Sequence, residues 1–99
     1  MILTVFRSRL RPEHADEYAA AAARIHHLVT RQPGFVSIRS YTATDGERVS
    51  IVLFESWPAH DAWRDHPEHR EAQRLGRERF YSEFSIEVGE VARHYRFPQ

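Results

Sequence analysis

Apolar positions crowd the first ten residues. Ile2, Thr4 and Phe6 alternate with Leu3 and Val5, so the spacing predicts a strand from Ile2 to Leu10 that is apolar on both faces at its start. Pro12 ends it, because a proline ring removes a ladder donor. From Glu13 to Gln32 the period lengthens. Ala15, Tyr18, Ala22, Ile25 and Val29 recur at spacings of three and four, which predicts a helix with one buried stripe. Pro33-Gly34 stops it. Alternation returns in Phe35 to Thr44 and Arg48 to Trp57, two predicted strands joined around Asp45-Gly46, a hairpin signal. Pro58 then opens a short helix. Asp65 or His66 is expected to cap another with Pro67 at its start, and Asp65-x-x-Glu68 fits a capping box. Ala72, Leu75, Gly76 and Phe80 give that helix its buried side. Phe84 to Phe97 reads as a long final strand, in which Gly89 marks a bulge or a close approach of another chain.

The order is β-α-β-β-α-β, which predicts an α+β, ferredoxin-like antiparallel sheet with its helices on one face, in a single domain spanning 1–99. The strand from Arg48 to Trp57 is apolar on both faces, with Val49, Ile51 and Leu53 on one and Val52 and Phe54 on the other. The helix-free face is then too apolar for a lone soluble chain. A two-fold homodimer with the sheets packed face to face is expected, and the long last strand has the length to reach across it.

Charge narrows the partners. The 14 basic residues, all arginine, balance 14 acidic ones, so no footprint for nucleic acid or an anionic membrane is expected. There is no cysteine, which excludes disulfides, a thiolate nucleophile and a cysteine-ligated metal. The N-terminal residues lack the pattern of a signal peptide, and no apolar run reaches the roughly 20 residues that span a bilayer, so a cytoplasmic protein is expected. No glycine-rich phosphate loop and no His-Glu-x-x-His pattern occurs, so neither a cofactor nor a metal is expected.

Candidate chemistry concentrates in Glu55 to His69, which holds both tryptophans and three of the seven histidines, His60, His66 and His69. Glu55 and Trp57 are placed at the exit of a strand, and His60, Trp63, His66 and His69 on the helices that follow. Trp63 suits either a pocket wall or a core anchor, and Trp57 either a wall or a core lid. His66 is a candidate base or only an N-cap. Glu55 is expected to pair with an arginine such as Arg39 on the neighbouring strand, with a buried base as the other reading.

Glu55-x-Trp57, Ala62, His66 and Pro67-x-His69, together with Pro33-Gly34-Phe35 and this element order, resemble the antibiotic biosynthesis monooxygenase domain of the dimeric α/β-barrel superfamily. The resemblance covers essentially the whole chain. It implies a dimeric α/β barrel and activities that include cofactor-free oxidation of phenolic polyketides to quinones, and haem degradation. The haem-degrading branch is similar around Trp63 but carries its ligating histidine where Gln73 stands here. The quinone-forming branch has an asparagine near the place of Leu53.

Cofactor-free oxygenation requires an apolar aromatic slot, a base that removes a phenolic proton near neutral pH, and a cation or donor for the developing oxyanion. The resemblance and the residue types together assign Trp57, Trp63 and Tyr81 as walls, His66 or His69 as base, and Arg39 or Arg70 as counter-charge, beside Glu55. The expected function is therefore a monooxygenase acting on an aromatic or polycyclic phenol with O2. A non-catalytic dimeric module binding a small hydrophobic ligand, and a haem-binding protein, are the alternatives.

Overall fold

A computed structural model describes all residues from Met1 to Gln99. Strand β1 is Ile2–Leu10, followed by a 3-10 turn at Pro12–His14 and helix α1, Ala15–Val29. Strands β2 (Phe35–Thr42) and β3 (Arg48–Phe54) form a hairpin; helices α2 (Trp57–Arg64) and α3 (Pro67–Leu75) follow, then a π-turn at Gly76–Phe80 and strand β4, Tyr81–Glu90. The sheet is antiparallel throughout in the order β2-β3-β1-β4, a ferredoxin-like α+β arrangement. No helix is long and apolar enough to cross a membrane.

Local chemistry explains the boundaries. Gly46 sits at φ +92° in the β2–β3 turn, and the Asp45 carboxylate accepts from the Glu47 amide at 3.0 Å. Gly34 takes φ +78° entering β2, and a Cβ there would lie 2.6 Å from the Ala59 Cβ, so the turn backs directly onto α2. Ser56 caps α2 by accepting from the Ala59 amide at 3.3 Å. Trp57 therefore opens a helix and does not extend the strand. His66 caps α3, its Nδ1 accepting from the Glu68 amide at 3.2 Å. The expected capping box does not form, because Asp65 is held by Arg64 and Glu68 by Arg24.

The predicted stripe of α1 is inward at Tyr18, Ala22, Ile25 and Val29, whereas Ala15 is exposed. The core joins Val29, Phe54 and Trp63, with Ile25, Leu28, Phe35, Ile38, Val52 and Ala59 packed around it. Only 8 of 99 residues are buried, so both sheet faces retain apolar surface. The register puts Leu3, Val5, Val49, Ile51 and Leu53 together on the face opposite Phe54 and the helices.

The last strand is a correction. It begins at Tyr81 and ends at Glu90, and does not run on to Phe97. β1 supplies its ladder partner, and β1 is exhausted where Ile2 meets Glu90; one further bond joins the Val91 amide to the Met1 carbonyl at 2.9 Å. Beyond that the segment has no strand to pair with, and Tyr95 and Phe97 stand 83% and 95% exposed. The register shift between β1 and β4 falls at Arg9–Leu10 and not at Gly89.

Candidate active site

Residues directly opposite in a ladder share a face. On the helix side, the row Phe54–Ile2–Glu90 lies under the core, and Val52–Thr4–Val88, Ser50–Phe6–Ile86 and Arg48–Ser8–Phe84 follow in turn. The helices shelter the β3 side of this floor and leave the β4 side open. Phe84, Ile86 and Val88 are 42%, 53% and 41% exposed although they face the helices. The result is a strip of uncovered apolar surface along β1 and β4, from Trp57 at one end to Tyr81 at the other, hereafter the cleft.

The Trp57 end is fixed by one bond. Its indole Nε1 donates to the Glu90 carboxylate at 2.8 Å, tying the start of α2 to the end of β4. The other side of the indole meets His60 edge-on, with centroids 5.7 Å apart. His60 is buried against Phe54 and donates from Nδ1 to Asp61 at 2.9 Å. Trp63 is 6% exposed and belongs to the core, yet one face of it carries the His69 imidazole, stacked at 4.2 Å and 13°. His66 lies 5.5 Å from the same indole.

The imidazoles are not equivalent. His69 Nδ1 lies 3.0 Å from the Trp63 carbonyl, which can only accept, so that nitrogen carries the proton and Nε2 keeps its lone pair. Burial pushes the His69 pKa below its ordinary value of about 6.5, opposed by that backbone bond and reinforced by the neighbouring His66 and His60. His66 is the converse: its Nδ1 accepts from a backbone amide, which leaves the neutral ring with its proton on Nε2. His69 is thus equipped as a base and His66 as a donor. No three His, Cys, Asp or Glu side chains lie together as a metal-binding set.

At the far end, Tyr81 meets Phe6 at 5.3 Å, Tyr18 at 6.0 Å and Phe84 at 5.9 Å. Its ring fits there because Gly76 has no side chain; a Cβ on Gly76 would lie 2.6 Å from Tyr81 Cε2. Burial, then the adjacent Tyr18 phenol, hold the Tyr81 hydroxyl well above its usual pKa, while Arg48 acts in the opposite direction. Tyr81 therefore keeps its proton across the physiological range and presents a donor.

The predicted set divides. Trp57, Trp63, His66 and His69 gather around α2 and the start of α3, and Tyr81 closes the opposite end of the cleft. Arg39 lies opposite Ile51, on the helix-free face, with its guanidinium 5.8 Å over the Tyr41 ring. Alternation along β2 puts it there, so it faces away from the cleft. Glu55 makes no ion pair with it; the carboxylate turns towards Gly34. Arg70 stands exposed on α3 in a polar groove with Asp65, Glu71 and Arg74. Gln73 donates to the Arg64 carbonyl at 3.2 Å and so is engaged in the α2–α3 corner. Tyr18, Phe6 and Arg48 were not among the expected site residues. Counting back by twos from Phe54 places Arg48 on the helix face, a signal that was present in the alternation.

A profile of the family described as antibiotic biosynthesis monooxygenase matches residues 1–75. Protein YqjZ of Bacillus subtilis strain 168 is 30% identical over 95 residues, covering 96% of this chain and 83% of that protein. The structure of Rv0793 from Mycobacterium tuberculosis superposes with a TM-score of 0.83 at 19% identity, covering 96% of this chain and 98% of that one. SnoaB, a cofactor-independent oxygenase from Streptomyces nogalater, gives a TM-score of 0.78 at 20% identity, with 99% and 97% covered. The two structural likenesses establish a shared fold.

Proposed function

The chain belongs to the antibiotic biosynthesis monooxygenase family, and from that membership we propose that it is a cofactor-independent monooxygenase that oxidises an aromatic or polycyclic phenol with O2. One observation carries the reading: His69 has its Nδ1 proton committed to a carbonyl and an Nε2 lone pair left free, stacked on the face of Trp63. In the reaction, His69 takes the phenolic proton. The phenolate, a far better electron donor than the phenol, reduces O2. One oxygen atom enters a ring carbon and displaces its hydrogen, the other leaves as water, and the substrate supplies the electrons as it becomes a quinone. Trp57 supplies aromatic surface for the ring, and His66 Nε2–H a hydrogen-bond donor for developing charge. The likeness to SnoaB supports this reading at the level of fold.

The functional unit we propose is a homodimer. The aliphatic face of Leu3, Val5, Val49, Ile51 and Leu53 and the exposed tail aromatics Tyr95 and Phe97 support it. A second reading, a ligand-binding module without chemistry, is favoured by one feature: the uncovered strip of Phe84, Ile86 and Val88 offers apolar surface to a planar molecule whether or not a base is near. Oxygen uptake separates them. With 1-naphthol-type phenols the wild-type protein consumes O2, and His69→Asn, which retains a donor to the Trp63 carbonyl, lowers kcat/KM by about a hundredfold or more, the usual worth of a positioned base. Binding without uptake selects the second reading.

A further inference from the structure

Arg48 differs from every other arginine in the chain that lacks a carboxylate partner. Those others all stand exposed, whereas Arg48 is half-buried. It lies on the helix face of β3, opposite Ser8 and in line with Phe84, and its guanidinium stands 5.4 Å over the Tyr18 ring. A guanidinium that has shed part of its water without gaining an anion is costly, and ring faces restore only part of the loss. Nothing in the chain completes its coordination. The cation faces the cleft together with the Tyr18 and Tyr81 phenols, on the opposite side of the sheet from the aliphatic face.

We propose that Arg48, with the hydroxyls of Tyr18 and Tyr81, forms an anion-binding end of the cleft, and that the substrate is an aromatic acid. This rests on the cleft being the substrate site. Arg48 and Phe54 stand six positions apart on one strand, about 20 Å at the rise of a strand. A planar ring system lies between, over Thr4, Phe6, Ile86 and Val88. Its reacting phenol is directed towards Trp57 and the imidazoles, and a carboxylate or a second acidic hydroxyl towards Arg48. Such an arrangement fixes which end of the molecule meets the base, and the anion orients the ring without taking part in the oxidation.

Two probes that differ in one carboxylate, carried on the ring away from the phenol, test this: 5-hydroxy-1-naphthoate and 1-naphthol, titrated calorimetrically into the full-length protein at low salt. The acid is expected to bind about tenfold tighter or more, the scale of a charge-assisted pair. Arg48→Gln is expected to erase that difference while leaving 1-naphthol affinity unchanged, and Arg48→Lys to restore part of it. Rising salt narrows the wild-type gap. Equal affinities in the wild type, no binding of the acid, or a gap that survives in Arg48→Gln each overturn the proposal. So does an Arg48→Gln protein whose only change is a lower oligomer mass, since the partner of Arg48 is then another subunit. Should Arg48→Gln fail to fold, Tyr81→Phe takes its place, with a smaller loss expected for the acid alone. Oxygen uptake is scored separately: acid preference without turnover keeps the anion site and removes the oxygenase, and turnover without acid preference does the reverse.

Discussion

A histidine whose Nδ1 hydrogen is given to a carbonyl acts as a base only through Nε2, and His69 is in that position while stacked on Trp63. Its lowered pKa has two consequences. In the folded protein it binds fewer protons than in the unfolded chain at pH values just under 6.5, so stability from this group is full above that range and is lost as pH falls. Thermal melts of the wild type and His69→Asn should therefore converge as pH drops from 7.5 to 5.5, with the wild type falling more steeply; parallel curves would contradict the burial of this ring. The acid limb of kcat/KM should likewise lie below pH 6.5 and disappear in His69→Asn. At the other end of the cleft, Tyr81 cannot serve as a base, because its phenol is held protonated, and its role is confined to donation.

At the scale of elements, the π-turn at Gly76–Phe80 decides where Tyr81 goes. The Tyr81 amide bonds back to the Gly76 carbonyl, and the ring then lies over the bare Cα of Gly76. Gly76→Ala should cost about 1–3 kcal/mol by urea denaturation, as overpacking does, and should displace Tyr81. Unchanged stability would show that the ring moves aside freely. The extra turn was invisible in the helical spacing of Ala72, Leu75, Gly76 and Phe80, because a one-residue widening leaves the apolar positions inward. The hairpin, the order of elements and both proline-led helix starts were legible, since each rests on local chemistry at Asp45-Gly46, Pro58 and Pro67. The cleft was legible only in part. Trp57, His69 and Tyr81 stand out as residue types, but Arg39 and Arg48 differ only in which way strand alternation turns them. That Phe84, Ile86 and Val88 are left uncovered depends on where the helices come to rest, which no local pattern encodes.

For the whole molecule, the sparse core is the central fact. With 8 residues buried, a lone chain leaves the aliphatic face of its sheet in water, and pairing two such faces removes that cost. Light scattering at micromolar concentration should give twice the 11.7 kDa chain mass. Ile51→Glu, which puts a charge at the middle of that face opposite Val5, should reduce the mass to that of one chain. A monomeric wild type, or an Ile51→Glu protein that still pairs, would contradict the arrangement. The cleft lies on the other side of each sheet, so the two sites of such a dimer face outward and act separately. The measurement that bears most directly on the central claim is oxygen consumption by chelator-treated protein supplied with 1-naphthol, set against the quinone formed. The account predicts one O2 consumed per quinone and a rate about a hundredfold lower or more in His69→Asn. A His69→Asn protein that turns over at the wild-type rate, or a wild type that binds the phenol and consumes no oxygen, would contradict it.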